Sequence, residues 1–487
     1  MRPYTLEEIA RIVGGQVVHG DPGRAFTSVS TDSRRVGQGD LFVALAGERS
    51  DGHDYVAEAC RKGAGGTLIE RLVDGLGDRS AGGDTGFDPS FGVVLVPSTV
   101  KALQSLASAY RSELTAAVVG ITGSVGKTST KDMLCSVLST TFPTYGNPGN
   151  LNSHIGLPLA LLAIDEDPKF AVLEMAMRAR GEIEELCSIA RPVIGVLADI
   201  SHSHVGVLGS IEEIALAKAE LLESLPPNGV AVLSGDNDWV RKVSSKARCP
   251  VVFYGHSAGC HVRAVDVKNM GASGSTFRAE IQGLPVLAET GARPPVIDPS
   301  LEYELKAPGL HQIHNALAAI AIGIMAGVPQ DRIRHGLENA SLSPMRLEVF
   351  TVAGVTVIND AYNASPKSMK AALDLLASVK GKRRVAVLGD MLEMGEYGPP
   401  AHREVGRYAA ARADLLLCSG ELAQELAAGF DAETSGSKEA SWFPDKSLLQ
   451  ARLREVVDEG DVVLVKASRA MGFESVVAAL KEMRPHG

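Results

Sequence analysis

Residues 120–128 have the composition and spacing of a loop that binds nucleotide phosphates. The pattern Gly-x-x-Gly-x-x-Gly-Lys-Thr follows an apolar strand predicted at 116–119 and opens a predicted helix. Glycines let backbone amides close around phosphate, Lys127 can reach the terminal phosphates, and Thr128 can ligate magnesium. The alternative is a glycine-rich turn that holds no ligand. The general motif would place a glycine at Ile121, and a phosphate loop by itself does not separate a kinase, a ligase, a motor and a nucleotide switch.

Polar residues follow two other apolar strands predicted in the middle of the chain. Glu174 comes directly after the strand at 170–173, where a carboxylate suits the magnesium ion of a nucleotide; a carboxylate at a helix N-terminus is the alternative. His202 and His204 follow the strand at 193–197 and could bind metal or phosphate, with a structural role as the alternative. Ligands gather at the carboxyl ends of parallel strands, so both positions are candidate site residues.

Two predicted helices carry further candidates. Lys218 lies among apolar residues on the helix at 211–222, which is typical of a snorkelling surface side chain. The alanine-rich helix at 312–326 contains Asn315 in its first turn, where an amide could meet a nucleobase or simply cap the helix.

The last third of the chain places polar residues after three more strands, predicted at 355–359, 384–388 and 462–465. The polar residues are Asp360, Tyr362, Asn363 and Ser365 after the first strand, Asp390 and Glu393 after the second, and Lys466, Ser468 and Arg469 after the third. This density favours ligand contact over turn formation. Three polar strand ends on one sheet predict a shared cleft.

The size and composition of the chain limit the classes of protein to consider. At 487 residues it is too long for one core, and 45% hydrophobic content indicates folded domains, two to four in number. A net charge of -10 argues against a nucleic-acid scaffold. The six scattered cysteines predict reduced thiols and no zinc site. The N-terminus predicts an amphipathic helix opened by Thr5, and no run of about 18 apolar residues occurs, so a cytoplasmic protein without membrane insertion is expected.

Strands and helices alternate along most of the chain, which predicts parallel sheets with helices on both faces. The expected fold class is α/β with three domains: an N-terminal α/β domain at 1–113, a central phosphate-loop domain at 114–340, and a C-terminal Rossmann-like domain at 341–487. Residues 250–307 break the alternation and predict an antiparallel appendage. Glycine and aspartate dominate 74–90, which predicts a mobile surface loop.

Taken together, these residues resemble the Mur ligases, the ATP-dependent enzymes that add amino acids to the muramyl peptide of bacterial cell walls. The family's form of the phosphate loop, Gly-x-Thr-Gly-[ST]-x-Gly-Lys-Thr, matches 120–128 and accounts for Ile121. Segments 30–34 and 39–45 are similar to the family's first domain, which binds the uridine diphosphate of the substrate.

Within this family, three segments are similar to the member that joins D-alanyl-D-alanine to UDP-N-acetylmuramoyl-tripeptide in peptidoglycan synthesis. These segments lie at 150–158, 359–366 and 388–395. The Asp-Asn-Pro-Arg motif of the diaminopimelate-adding relative does not occur in the sequence.

The resemblance implies a role for each matching residue. The residues implied to be catalytic are Lys127, Glu174, His204 and Lys218. Those implied to bind ATP are Thr122, Gly123, Ser124, Val125, Gly126, Lys127, Thr128, Asn315, Arg346 and Asp360. Those implied to bind the muramyl peptide or the dipeptide are Ser33, Arg34, Asn150, Asn152, Asn363 and Lys466. Those implied to ligate magnesium are Thr128, Glu174, His204 and, once carbamylated, Lys218.

The resemblance also implies the reaction, its cofactors and its partners. The γ-phosphoryl group of ATP would pass to the peptide carboxylate, and the amine of the dipeptide would attack the acyl phosphate and expel phosphate. A carbamate would turn the amine of Lys218 into an anion that can support magnesium, which reverses the reading of this residue as a surface lysine. Domain closure would assemble the site. A monomer that binds only these small molecules is expected.

Two other readings remain open. One is another ligase of the same superfamily, such as the diaminopimelate- or lysine-adding enzyme or a protein like folylpolyglutamate synthase. The other is a phosphate-loop kinase or nucleotide switch. Four positions depart from the family pattern, namely Ala176, Asp199, Ser234 and Gln312, and Ala176 places a methyl group where glycine is usual.

Overall fold

The computed structural model describes residues 1–47, 50–73, 87–165, 167–203, 205–287, 291, 295–434 and 438–483. Strands and helices alternate through these ranges, which confirms the α/β fold class. By its internal contacts the chain divides into two compact units. The first consists of Met1–Gly120, Pro143–Ala176 and Glu182–Pro192, and the second of Ile121–Phe142, Met177–Gly181 and Val193–Gly487.

The N-terminal part of the first unit contains a five-stranded sheet. The strands of this part of the chain are β1 (Tyr4–Thr5), β2 (Gln16–His19), β3 (Ala25–Phe26), β4 (Val29–Ser30), β5 (Leu41–Val43), β6 (Gly66–Ile69) and β7 (Gly92–Leu95), and the helices are α1 (Leu6–Val13), α2 (Val56–Arg61) and α3 (Thr99–Glu113). The sheet has the order β2-β7-β6-β5-β4, and β1 pairs with β3 separately.

Helix α1 begins as the sequence predicts. The hydroxyl of Thr5 accepts the backbone N–H of Glu8, and the carboxylate of Glu8 accepts the backbone N–H of Thr5. This capping box satisfies two amides that the first helical turn leaves unpaired. Most of the loop predicted at 74–90 lies outside the described residues.

The middle of the chain builds a nine-stranded sheet. Its elements are β8 (Ala117–Thr122), α4 (Lys127–Ser139), β9 (Thr144–Gly146), α5 (Gly156–Leu162), β10 (Phe170–Glu174), α6 (Glu182–Ala190), β11 (Ile194–Leu197), α7 (Val205–Leu208), α8 (Ile211–Glu223), β12 (Val230–Ser234), α9 (Asp238–Val243), β13 (Val251–Gly255), β14 (Val262–Asn269), β15 (Ser275–Ile281), β16 (Glu302–Leu305), α10 (His311–Met325) and α11 (Gln330–Glu338). The strand order is β16-β15-β14-β13-β12-β11-β8-β10-β9.

Most of the pairings in this sheet agree with the prediction. Strands β11 to β14 pair in parallel, as do β9 and β10, whereas β14, β15 and β16 pair antiparallel. The antiparallel appendage predicted at 250–307 is therefore confirmed for its last three strands. Its first strand, β13, instead extends the parallel sheet.

The C-terminal part of the second unit contains a six-stranded sheet. Its elements are β17 (Glu348–Val352), β18 (Val355–Asn359), α12 (Pro366–Ser378), β19 (Arg384–Gly389), α13 (Gly398–Ala410), β20 (Leu415–Ser419), α14 (Ala423–Thr434), β21 (Glu439–Phe443), α15 (Lys446–Val456), β22 (Val462–Lys466) and α16 (Glu474–Lys481). The order is β17-β18-β22-β19-β20-β21, and all pairs are parallel except β17 with β18.

This sheet places β18, β22 and β19 side by side. Their valine and leucine side chains are buried, as expected for parallel strands covered on both faces. The three polar strand ends that the sequence singles out therefore meet at one edge of one sheet, as predicted. Within the described ranges, none of the helices is both long enough and apolar enough to cross a membrane.

Candidate active site

Two glycines shape the loop between β8 and α4. Gly123 and Gly126 have φ angles of +155° and +89°, which side-chain-bearing residues rarely adopt. A Cβ atom on Gly126 would lie 2.7 Å from Oδ1 of Asn315, and one on Gly123 would lie 3.0 Å from the backbone nitrogen of Asp199. Backbone conformation and space therefore both require glycine at these positions.

Hydrogen bonds fix this loop to the segment that follows β11. The backbone N–H of Ser124 donates to the carbonyl of Asp199 over 2.8 Å. The Ser124 hydroxyl donates to the carbonyl of Ser201 over 3.1 Å and accepts its N–H over 2.9 Å. The Nζ atom of Lys127 donates to the carbonyl of Gly123 over 2.7 Å, at the positive end of α4. These hydrogen bonds hold the loop against the segment that follows β11.

Asn315 lies against the same loop, and its predicted contact with the nucleotide stays a prediction. The Thr130 hydroxyl donates to Oδ1 of Asn315 over 3.2 Å, and Nδ2 of Asn315 donates to Oε1 of Gln312 over 2.8 Å. Gln312, which replaces the asparagine common in the family, therefore still accepts a hydrogen bond. These contacts fix the Asn315 amide beside the first turn of α4.

Lys218 is buried in α8, with 2% of its surface exposed. Its reading as a snorkelling surface side chain is wrong. Burial holds the pKa of Lys218 well below its ordinary value, Lys127 lowers that pKa further, and Asp199 opposes the change. A neutral amine is the form that can add to carbon dioxide, so the surroundings of Lys218 suit a carbamate.

Asp199 connects several segments around the loop. Its Oδ1 atom accepts Nδ2 of Asn237 over 2.9 Å and also accepts Nζ of Lys367. The buried Oδ2 atom has no hydrogen-bond partner in the part of the chain that the structure describes. Neither Asn237 nor Lys367 was predicted from the sequence. Their positions could have indicated them, because Asn237 follows β12 and Lys367 follows the polar segment after β18.

The first unit holds Glu174 at the end of β10 with 3% of its surface exposed. The Nδ2 atom of Asn152 donates to Oε1 of Glu174 over 2.7 Å. The backbone N–H of Glu174 donates to Oδ1 of Asn147 over 2.8 Å. Asn152, predicted to bind substrate, is therefore placed to orient this carboxylate. Asn147, which was not predicted from the sequence, holds the backbone of Glu174, and Asn150 is exposed.

Ser33 and Arg34, the two predicted substrate residues that follow β4, differ in exposure. Ser33 is buried, whereas the Arg34 side chain is 81% exposed and donates from Nε to Asp32 over 2.9 Å. This pairing lowers the pKa of Asp32 to about 2. The guanidinium of Arg34 is thus displayed at the surface, where it can meet an anionic ligand.

The C-terminal sheet brings four predicted site residues together. The Nζ atom of Lys466 donates to Oδ2 of Asp360 over 2.5 Å and to the carbonyl of Asn363 over 2.7 Å. Burial raises the pKa of Asp360 above its ordinary value, and Lys466 opposes that change. The guanidinium of Arg346 lies 4.0 Å from the ring centroid of Tyr362. The buried Nε atom of Arg346 has no hydrogen-bond partner within the described ranges.

The remaining predicted residues belong to the phosphate loop or lie outside the described ranges. Thr128 is buried in the first turn of α4, and the buried Thr122 hydroxyl has no hydrogen-bond partner among the described residues. His204 lies outside the described residues, so its predicted role stays a prediction.

Comparisons with known proteins find similarity to one family over most of the chain. The Mur ligase middle domain matches residues 121–323, the glutamate ligase domain of Mur ligases matches 345–469, and the catalytic domain of the Mur ligase family matches 25–73. The UDP-N-acetylmuramoyl-tripeptide--D-alanyl-D-alanine ligase of Bacillus subtilis is 37% identical and covers 98% of both chains. The chain belongs to the Mur ligase family.

Other members of the family support this placement. The Escherichia coli ligase of the same description is 34% identical over 99% of both chains. The structure of MurF from Acinetobacter baumannii is 27% identical, covers 99% of this Mur ligase and 100% of that chain, and has a TM-score of 0.85. A MurF ligase from Thermotoga maritima in complex with ADP is 29% identical, with a TM-score of 0.77 over 93% of this chain and 97% of that one. The predicted three-domain α/β architecture is confirmed.

The residues of this Mur ligase fit a bound nucleotide and its metal ion. Among the described residues, Nε of Arg346 and the hydroxyl of Thr122 have no hydrogen-bond partner; the first is a donor suited to a phosphate or ribose oxygen, and the second borders the phosphate loop. Within the second unit, Thr128 and a carbamylated Lys218 would offer oxygen atoms only, which is the donor set that magnesium prefers.

Proposed function

We propose that this Mur ligase joins D-alanyl-D-alanine to the peptide carboxylate of UDP-N-acetylmuramoyl-tripeptide, with cleavage of ATP to ADP and phosphate, in the synthesis of peptidoglycan precursors. The observation that carries the proposal is the similarity, over nearly the full length, to ligases of that description at 34% to 37% identity. The phosphate loop, the buried Lys218 and the polar strand ends of the C-terminal sheet are the chemical parts that such a reaction needs.

The phosphate loop would bind and polarise ATP. Backbone amides of residues 122–126 would surround the β- and γ-phosphates, and Lys127 would leave the Gly123 carbonyl to neutralise charge on the transferred group. Asn315 would face the adenine, while Arg346 and Asp360 would approach the phosphates and the ribose. Nε of Arg346, which has no hydrogen-bond partner in the described part of the chain, supports this assignment.

Thr128, Glu174, His204 and the carbamate of Lys218 would hold magnesium. When bound, the ion withdraws charge from phosphoryl oxygens during transfer. Asn152 would keep the Glu174 carboxylate oriented, because its amide already donates to Oε1.

Carbamylation of Lys218 balances as a simple addition. The neutral amine attacks carbon dioxide, forms an N–C bond and releases one proton, which leaves a carbamate with one negative charge. Burial supports this step because it lowers the pKa of Lys218 and so favours the neutral, nucleophilic form of the amine. An ammonium at this position would instead repel the ion that the site must hold.

The peptide and the dipeptide would be bound by residues of both terminal domains. Arg34 and Ser33 would bind the uridine diphosphate, and Asn150 would contact the muramyl peptide. Asn363 and Lys466 would position the peptide carboxylate and the incoming amine. The amine attacks the acyl phosphate, a C–N bond forms, and phosphate leaves with the electrons of the broken C–O bond.

The boundaries 1–113, 114–340 and 341–487 are proposed for the three domains. The family matches at 25–73, 121–323 and 345–469 each fall within one of them. We further propose that the protein is cytoplasmic and is a monomer. Sedimentation of the purified chain tests the oligomeric state, because a monomer has a mass of 51.1 kDa.

Phosphate release with UDP-N-acetylmuramoyl-tripeptide and ATP tests the proposed function. The incoming amine is varied among D-alanyl-D-alanine, diaminopimelate, lysine and glutamate. Release that depends on D-alanyl-D-alanine is expected. Release with diaminopimelate or lysine alone would assign a different amino-acid ligase, and phosphorylation without any amine would assign a kinase.

Lys127→Ala serves as the matched inactive enzyme in this assay. It should abolish phosphate release while the circular dichroism spectrum remains that of the parent. Ligation retained by Lys127→Ala would contradict the assignment of the phosphate loop. Lys131→Ala, one helical turn further along α4, controls for loss of charge in the same helix.

A further inference from the structure

A second group of potential ligands lies outside the magnesium residues proposed above. Asp236, His256 and His314 each offer one ligand atom, and these three atoms lie within 4.8 Å of one another. Asp236 follows β12, His256 follows β13, and His314 lies on the first turn of α10. The three side chains converge from separate segments of one unit.

Hydrogen bonds orient two of these side chains. The Ser234 hydroxyl lies 2.8 Å from Nε2 of His314, which leaves Nδ1 as the ring atom on the side of Asp236. The Asp236 carboxylate accepts the backbone N–H of His256 over 2.7 Å and that of Ser257 over 2.8 Å. Partners that fix ligand orientation in this way are typical of metal sites.

The spacing between Asp236 and His314 suits a cation better than a direct bond. Nδ1 of His314 lies 3.6 Å from Oδ2 of Asp236, which is too long for a hydrogen bond. Two ligands each about 2.1 Å from a tetrahedral ion lie about 3.4 Å apart. The observed distance therefore matches two ligands of one ion.

His256 can complete the set with little movement. Its residue is exposed, so its ring can rotate without repacking the core. The rings of His256 and His314 already stack with centroids 6.0 Å apart. Gly255 leaves space for the Asp236 carboxylate, because a Cβ atom on residue 255 would lie 2.5 Å from Oδ2 of Asp236.

We propose that Asp236, His256 and His314 bind one divalent transition-metal ion of the zinc class. Two imidazoles and one carboxylate favour zinc or cobalt over magnesium, which prefers six oxygen ligands. The spacing of cysteines predicted no zinc site, but these ligands are 20 and 58 residues apart in sequence and meet only through the β12, β13 and α10 packing.

The site would stiffen two residues beside the phosphate loop. Asn237, adjacent to Asp236, donates to Asp199, and Asn315, adjacent to His314, accepts from Thr130. A cation would link the segments that carry these amides. It would therefore stabilise the folded protein according to its free concentration.

Titration of the full chain with Co²⁺ in millimolar Mg²⁺ tests this proposal. Magnesium occupies the oxygen sites, and Co²⁺ in a tetrahedral site absorbs visible light. We expect one equivalent of Co²⁺ to give this absorption and Zn²⁺ to displace it. His256→Ala should weaken Co²⁺ binding at least tenfold, whereas His335→Ala, an exposed histidine of α11, should leave it unchanged.

Thermal unfolding separates a lost ligand from a lost fold. Without metal, His256→Ala should melt at the temperature of the parent, because the side chain is exposed. Zn²⁺ should raise the melting temperature of the parent and of His335→Ala but not of His256→Ala. Absence of the Co²⁺ absorption in the parent, or equal Co²⁺ binding by His256→Ala, would overturn the proposal.

Discussion

Lys218 and Lys466 are equally buried, each with 2% of its surface exposed, but their surroundings differ. Lys466 donates to the Asp360 carboxylate over 2.5 Å and to a backbone carbonyl. No carboxylate of the described residues lies within salt-bridge distance of Lys218, and burial lowers its pKa instead. A buried amine with a carboxylate partner can act as a fixed positive charge, whereas burial without such a partner favours the neutral, nucleophilic form.

The largest expected difference between the two lysines is in folding stability. Lys466→Met leaves Asp360 buried without its partner and should lower the free energy of unfolding by about 3 to 5 kcal/mol. Lys218→Met removes an amine that has no salt bridge among the described residues, so it should be neutral or stabilising. Urea unfolding at pH 7 measures both. Equal losses would show that the two lysines are held alike.

For catalysis, in contrast to stability, we expect a large effect of substituting Lys218. Lys218→Met should lower kcat by about 100-fold or more if the proposed carbamate supports magnesium, because the variant cannot form that anion. Carboxylates such as acetate should restore part of the rate to Lys218→Ala, which leaves space for them. They should not restore Lys466→Ala, whose missing group is a cation. Full activity of Lys218→Ala would rule out the carbamate.

The pH dependence of stability should differ between Lys218→Met and the parent. The folded pKa of Lys218 is lowered, so the unfolded chain binds one more proton between that pKa and the ordinary 10.5. Parent stability should therefore rise with pH in this window by up to about 1.4 kcal/mol per pH unit relative to Lys218→Met. Unfolding in buffers free of carbon dioxide, from pH 7 to 9, measures the slope. Parallel profiles would show an ordinary lysine.

The smallest effect is expected at Lys367, a lysine with a carboxylate partner but an exposed side chain. Its ammonium pairs with Asp199, yet 59% of the side chain is exposed to solvent. Lys367→Met should lower the free energy of unfolding by less than Lys466→Met does, because the buried Asp199 carboxylate keeps its hydrogen bond from Asn237 and the exposed ammonium gains little from the pair; any loss should shrink in high salt. A loss as large as that of Lys466→Met would show that burial is not what separates the two pairs.

Much of the site could be predicted because its signals are local. The glycines, Lys127 and Thr128 are neighbours in sequence, and their order specifies a strand, a tight turn and a helix. Glu174 ends one apolar strand and Asp360 follows another, so both lie at the carboxyl edge of a sheet, where ligands of parallel sheets usually bind, and their roles stay predictions. The resemblance to Mur ligases then assigned the reaction.

Contacts between distant segments could not be predicted in this way. Lys367 and Asp199 are 168 residues apart, and periodicity carries no information about such a pair. Asn152 was predicted to bind substrate, but only the folded chain shows its amide on Glu174. The convergence of Asp236, His256 and His314 likewise depends on the packing of three elements.

The sequence by itself determined the fold class, the phosphate loop and the family, because these depend on residue types at short spacings. It also placed a lysine at 218 and another at 466, in apolar surroundings that look alike along the chain. Only the tertiary structure decided which of them has a carboxylate beside it. That difference sets the free energy of the charged form, and so the chemistry that each amine can perform.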